Sequence, residues 1–291
     1  VSEVLTLYWR GPLDACNYGC PYCPFARRPI RREVLAEDRA ALERFVAWVE
    51  AHAERSYAIQ FTPWGEALIW PWYQEALVHL SHLPHVAQVG GQSNGSGATA
   101  WVDDADRSRL ALWLTWHPGE VALERFLARV ADLRGRGARV AAGIVAQPGR
   151  PEEAERLRDG LPAGTAVWVN AKRPGGRYTE AEVARLTAVD PGFPLDLRGV
   201  NSGGLACEAG QRSLLVEGDG TLRRCHLVQR RVGHLYDEGL DAALAPRPCP
   251  RARCDCYVGH AWLPVTGLGA RGLDVVSRHL HVPVPVRGAE D

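Results

Sequence analysis

Six apolar, strand-like runs, each followed by a helical run or a polar connection, succeed one another from residue 4 to residue 187. No other feature of the 291-residue chain limits its fold so sharply. Strands are expected over residues 4–9, 57–61, 86–92, 110–115, 139–146 and 166–170. Helices are expected over 36–53, 70–81, 121–134, 151–159 and 180–187, with a short one near 103–108. Leu42, Phe45, Val46 and Val49 recur at helical spacing in the first helix, as do Val121, Leu123, Phe126, Leu127 and Val130 in the third. Such alternation specifies an α/β chain of parallel strands joined by right-handed helical crossovers. Six units fall short of a closed eight-stranded barrel, so the expectation is an open, partial (β/α)6 barrel. Its functional groups belong in the loops after the carboxyl ends of the strands.

From about residue 195 glycine and cysteine become frequent, and residues 213–217 and 221–225 read as a hairpin turning at Gly218, Asp219 and Gly220. The expected division is residues 1–195 as the barrel and 196–291 as a small metal-bearing unit with a tail, whose stretch 282–286 reads as an edge strand or strap. The 34 basic and 34 acidic residues cancel, so no global field draws the chain to nucleic acid or to an acidic membrane. There is no apolar run long enough to span a bilayer. The chain opens on strand-like residues rather than a signal peptide, so a reducing, cytoplasmic location is expected. In that compartment the eight cysteines suit metal better than disulfides.

Three of them, Cys16, Cys20 and Cys23, form a Cys-x3-Cys-x2-Cys triplet in the loop after the first strand, with Gly19, Pro21 and Pro24 favouring a loop over a helix. Three thiolates on one short loop suit three corners of an iron–sulfur cube and leave the fourth iron open. Zinc is the alternative, but it wants a fourth ligand and none stands nearby in sequence. This triplet at this place resembles the radical S-adenosylmethionine (SAM) superfamily, over roughly residues 4–170. The resemblance implies a 4Fe–4S cluster that chelates SAM and cleaves it reductively to methionine and a 5′-deoxyadenosyl radical. It implies further that Tyr22, before the third cysteine, meets the adenine through its backbone. Gly65 and Glu66, after the second strand, resemble the family's Gly-Gly-Glu element with Trp64 in place of the first glycine, and Glu66 would pair with the methionyl ammonium. Ser93 and Asn94, after the third strand, resemble the ribose-contacting segment; an ordinary Asn-Gly turn is the alternative. Asn170, with Lys172 and Arg173, stands where SAM contacts or plain rim residues are equally expected. His117, after the fourth strand, is either a site contact or structural.

The other five cysteines are Cys207, Cys225, Cys249, Cys254 and Cys256. Cysteines at both ends of a hairpin, met by a close downstream pair, suit a second metal site, and zinc remains an alternative to iron. The arrangement resembles the Twitch auxiliary-cluster unit, a shortened SPASM domain, and implies a second 4Fe–4S cluster, although Cys-x-Cys replaces the usual Cys-x2-Cys. Four ligands leave one thiol spare. Cys249, between Pro248 and Pro250, is the outlier by spacing, so Cys207, Cys225, Cys254 and Cys256 are assigned to the cluster and Cys249 to hydrogen-atom donation. An inert Cys249, or a spare Cys254 or Cys256, is the alternative. The combination resembles the aminoglycoside-modifying radical SAM enzymes and implies an epimerase acting on a sugar carbon. A dehydrogenase of the same substrates and a peptide-modifying enzyme are the alternatives, the latter disfavoured by the few residues before the first strand. An external electron donor such as flavodoxin or ferredoxin is implied. A cationic substrate would call for carboxylates at the barrel mouth, and Asp103, Asp104, Glu120, Asp196 and Glu208 are the candidates.

Overall fold

A computed structural model describes residues 4–23, 29–173 and 176–268. Pro24 and the 282–286 stretch lie outside the described residues. The elements run β1 (Leu5–Arg10), α1 (Arg32–Ala51), β2 (Tyr57–Phe61), α2 (Pro71–His82), β3 (Val86–Ser93), a 3-10 turn (Ala100–Asp104), β4 (Leu110–Trp116), α3 (Leu123–Gly135), β5 (Arg139–Ala146), α4 (Pro151–Gly160), β6 (Ala166–Ala171) and α5 (Glu180–Val189). Short elements follow: α6 (Phe193–Arg198), β7 (Val200–Asn201), β8 (Ser213–Glu217), β9 (Thr221–Arg223), β10 (Arg231–His234), β11 (Arg253–Cys254) and α7 (Tyr257–His260). All six strands and five helices of the repeating pattern lie where periodicity places them, within a few residues at their ends. Proline at the first turn starts α2 and α4, and Thr179 with Glu182 forms a capping box on α5.

β1 to β6 are parallel and adjacent in chain order, as βαβ crossovers require. The C-terminal hairpin is continuous with them. β8 pairs in parallel with the free side of β1, from Thr6↔Ser213 to Arg10↔Glu217, and β9 and β10 follow antiparallel, giving nine strands in the order β10-β9-β8-β1-β2-β3-β4-β5-β6. Residues on both sides of position 195 thus share one sheet, with β1 inside it rather than at its edge. Only β7 and β11 form a separate ribbon among the described residues.

Alternation along the strands sorts two layers. Leu7, Trp9, Ile59, Phe61, Val89, Leu112, Leu114 and Ile144 face the helices and pack on Leu42, Phe45, Leu77, Leu80, Phe126 and Val130. Each such side chain contributes about 1.5–3 kcal/mol by leaving water. The inner face carries small residues, among them Ala58, Ala111 and Ala141, beside Tyr8, Trp113 and Trp168. The room they leave is filled by the C-terminal segment: Tyr257, Val258, Ala261 and Trp262 pack inside the barrel, and Trp262 Nε1 donates to Tyr8 Oη at 3.0 Å.

Because Trp262 fills the barrel and holds Tyr8, Trp262→Ala should cost about 3–5 kcal/mol. The check is a lower urea midpoint with an unchanged slope; an unaltered midpoint would show that the plug does not support the barrel.

Candidate active site

The loop leaving β1 is anchored before its first cysteine. Asp38 of α1 is fully buried and accepts from Leu13 N–H at 3.1 Å, Trp72 Nε1 at 3.1 Å and Tyr73 Oη at 2.9 Å. Burial raises its pKa, and the three donors oppose that. Arg31 clamps Asp14 at 3.0 Å. Nothing in the sequence singles out Asp38, since its carboxylate sits at an ordinary helical position. Beyond this anchor Cys20 O accepts from Cys23 N–H at 3.1 Å, a tight turn that brings the second and third thiols close.

Two further loops close on this one. Gly65 lies so near Ala15 that a Cβ would sit 1.8 Å from the Ala15 carbonyl oxygen, so only glycine fits. Glu66 N–H donates to that same carbonyl at 3.0 Å. The Glu66 carboxylate, 3% exposed, reaches the loop after β3: Oε1 accepts from Ser93 Oγ at 2.7 Å and Leu68 N–H at 2.9 Å, and Oε2 accepts from Asn94 N–H at 2.5 Å. Asn94 in turn donates through Nδ2 to Asn17 Oδ1 at 2.9 Å and to Cys16 Sγ at 3.8 Å. Tyr18 N–H also points at Cys16 Sγ, at 3.4 Å. The structure therefore brings Cys16, Gly65, Glu66, Ser93 and Asn94 into one place at the carboxyl ends of β1, β2 and β3. The turn after β3 is present as well, with Ser93 Oγ accepting from Gly95 N–H.

His117 closes the site from β4. Its Nδ1 lies 2.7 Å from Tyr22 Oη and 3.2 Å from Cys20 Sγ, and its ring stacks on Tyr22. Burial lowers its pKa to about 4, so the ring is neutral near pH 7. Burial likewise pushes the Cys20 thiol up to about 11 and raises Cys16. A metal would reverse that preference by holding the sulfurs as thiolates. Among the described residues no three His, Cys, Asp or Glu side chains already stand as a finished metal site. The donor set nonetheless fits iron: three thiols of one loop, with N–H groups directed at Cys16 Sγ as they are at cluster sulfurs.

A cavity of about 220 Å³ borders the loop, lined by Asn17, Tyr18, Asn94, Glu120, Arg125 and Arg129 among others. Glu120 is thus at the mouth, where a cationic ligand would find it. The remaining candidate carboxylates are not free there. Asp196 is buried against the end of β6, accepting from Ala171 N–H at 2.7 Å and pairing with Arg173 at 3.7 Å. Asp103 pairs with Arg136 at the end of α3, which lies by the amino ends of the strands. Asp104 borders a groove on α2. Glu208 pairs with Arg212 at 2.9 Å, just before β8 begins. Asn170 is the penultimate residue of β6, half-buried, and Lys172 donates its N–H to Tyr178 Oη.

At the other end of the chain, Cys207, Cys225, Cys249 and Cys254 line one narrow cavity together with Arg224, Leu227 and Leu263. Arg224 is buried and donates to the carbonyls of Ala209, Arg247 and Pro248, tying the hairpin to the strand of chain that carries Cys249. Cys249 Sγ donates to Ser202 Oγ at 3.4 Å. Cys256 does not line this cavity. It is half-buried against the cluster of Tyr8, Trp113 and Trp262, and its charge would be felt by Tyr8 and Arg10 as well as by Cys225 and Cys254. Burial raises Cys225 to about 11 and Cys254 to about 12. Next to Cys225, His226 Nε2 meets Thr62 Oγ1 at 3.0 Å, and its ring lies edge-on to Tyr8. Burial and then Arg10 lower the His226 pKa to about 3. His226 and Arg10 carried no sequence signal, because their meeting depends on β8 joining β1.

No protein-family model matches the chain, and no curated protein matches it in sequence. Among the solved structures that are similar to it, two align as follows. SuiB of Streptococcus suis aligns at TM-score 0.53 with 14% identity, over 82% of this chain and 65% of SuiB, so the chain spans slightly less than two thirds of that protein. The protein anSMEcpe, solved with bound AdoMet, aligns at TM-score 0.53 with 12% identity, over 82% of this chain and 77% of the other. What these share with the chain is a mixed α/β fold around a central parallel sheet. Among the described residues no helix is long and apolar enough to cross a membrane.

Burial raises the Glu66 carboxyl from 4.5 to about 6, against the pull of its three donors. The folded chain therefore holds this proton more tightly than the unfolded one, and stability at this group falls as pH rises from about 4.5 to about 6. Glu66→Gln should flatten that pH dependence. Its NH2 would also face a backbone or hydroxyl donor, lowering stability at pH 7 by about 1–3 kcal/mol. Urea midpoints at pH 5 and pH 7 for both proteins test this; parallel shifts at the two pH values would assign the titration to another group.

Proposed function

We propose that the chain is a radical SAM enzyme that epimerises an aminoglycoside, similar to neomycin C epimerase, which inverts one carbon of the terminal aminosugar ring to turn neomycin C into neomycin B. The observation that carries the radical SAM reading is the joining of Cys16, Glu66 and Asn94 at the carboxyl ends of β1, β2 and β3. Three sequence motifs that the superfamily uses on one cofactor meet there in space.

In this reading Cys16, Cys20 and Cys23 hold a 4Fe–4S cluster with one iron left for SAM. Cys207, Cys225, Cys254 and Cys256 hold an auxiliary cluster. When bound, the cluster and SAM supply a 5′-deoxyadenosyl radical that removes one hydrogen atom from the sugar carbon. Tyr22, Ser93, Asn94 and Asn170 border SAM, and Glu66 Oε2 keeps acceptor capacity for the methionyl ammonium. Neutral His117 orients Tyr22 and the loop without adding charge. Cys249 then returns hydrogen to the opposite face. Its S–H bond breaks homolytically, a C–H bond forms, and the sulfur is left with the unpaired electron. One electron from a flavodoxin or ferredoxin and one proton from water restore the thiol. The substrate is neither oxidised nor reduced overall, and a dry cavity limits quenching of the radical by other donors.

A second assignment rests on one observation: Cys249 shares the cavity of Cys207, Cys225 and Cys254, whereas Cys256 does not line it. Exchanging the roles of Cys249 and Cys256 leaves the reaction class unchanged.

Reconstituted protein should show iron–sulfur absorbance and cleave SAM, and Cys16→Ala should abolish the cleavage. With neomycin C in D2O, the inverted carbon should carry solvent deuterium; a ketone product would identify a dehydrogenase instead. Cys249→Ala should still release 5′-deoxyadenosine but form no epimer. If Cys256→Ala gives that pattern and Cys249→Ala loses auxiliary iron, the second assignment holds.

A further inference from the structure

Ala58 and Gln60 of β2 lie on its inner face, with Thr62 just beyond the strand, and Gln60 is level with Tyr8 on one side and Gly90 on the other. Gln60 is 2% exposed, and among the described residues neither its Oε1 nor its Nε2 has a hydrogen-bond partner. A buried primary amide missing every bond is unusual and unfavourable, because water has been given up with nothing in exchange.

The neighbours are committed elsewhere. Arg10 donates through Nε to the Thr62 carbonyl at 2.9 Å, and its guanidinium lies over Trp64. Thr62 Oγ1 meets Trp9 O and His226 Nε2, and Tyr8 Oη accepts from Trp262. Nor can a larger residue cover the amide from β3. A Cβ on Gly90 would lie 2.0 Å from the Ala111 carbonyl oxygen and 3.0 Å from Gln60 Oε1, so the amide rests against bare backbone. Buried water, or a group that enters the barrel beside the C-terminal segment, remains to satisfy it.

An amide offers a donor and an acceptor side by side, which complements a group that also does both. A sugar ring hydroxyl is such a group, whereas an apolar ligand or a simple cation is not. We propose that Gln60 is a substrate-binding residue whose amide takes a ring hydroxyl of the aminosugar, orienting the ring beneath the cofactor. This rests on the aminoglycoside reading above. It also predicts an exchange between stability and function: the orphaned amide weakens the empty protein and is satisfied only when substrate is bound.

Gln60→Leu and the more flexible Gln60→Met each remove the amide at similar volume. Both should raise the melting temperature of the substrate-free protein by about 2 °C or more. Both should raise KM for neomycin C roughly tenfold to a hundredfold, with substrate-free SAM cleavage unchanged. A KM within twofold of wild type, or a lowered melting temperature in both variants, would overturn the assignment, the latter by showing that buried water satisfies the amide as part of the fold. Wild-type protein that neither binds nor converts neomycin C would overturn the aminoglycoside reading and this inference with it. Conversion by wild type with unaltered KM in the variants would overturn this inference alone.

Discussion

The site hangs on one buried carboxylate. Glu66 takes hydrogen bonds from Ser93, Asn94 and Leu68 while its own N–H reaches the Ala15 carbonyl. The three loops that leave the neighbouring strands β1, β2 and β3 are thereby tied together at one end of the sheet. A carboxylate deprived of water binds its donors strongly because the alternative is an unpaired buried charge. The same knot explains why residue 65 is glycine, since any Cβ would push Glu66 away from Ala15. Asn94 then carries the order outward to Asn17 and Cys16, so the thiol loop inherits its position from the sheet.

β1 makes the second connection. Lying between β2 and β8, it is shared by the barrel and the C-terminal hairpin. That pairing carries Cys225 and His226 over the edge of the sheet to Thr62 and Tyr8. The loop of Cys16, Cys20 and Cys23 and the hairpin that leads to Cys225 thus leave strands of one sheet, whereas Cys254 lies on the β7–β11 ribbon. The plug formed by Tyr257 and Trp262 completes this, because it packs the end of the described chain against the inner face of β1 and β4.

The repeating core was legible because apolar periodicity reports directly on which face of a strand or helix is buried. β2 and β5 begin and end where the pattern says, and the other repeated elements differ at their ends by a few residues. The thiol loop, Glu66 and Ser93-Asn94 were legible as motifs, and they do meet. Less legible were the short elements β7, β10, β11, α6 and α7, each too brief to show a period. Of the carboxylates, Glu120 borders the cavity, whereas Asp103, Asp196 and Glu208 are paired with arginines distant in the chain or one turn away. Composition cannot distinguish a free carboxylate from a paired one.

The sequence by itself determined the parallel sheet, the thiol triplet and its place after β1, because these follow from spacing along the chain. Only the tertiary structure decided that β8 joins β1, that Cys249 lines a cavity with Cys207, Cys225 and Cys254 that Cys256 does not line, and that Gln60 has no partner among the described residues. The reason is physical. Strand order, cavity membership and hydrogen-bond satisfaction are properties of pairs of residues far apart in the chain, and no local pattern encodes which pairs will meet.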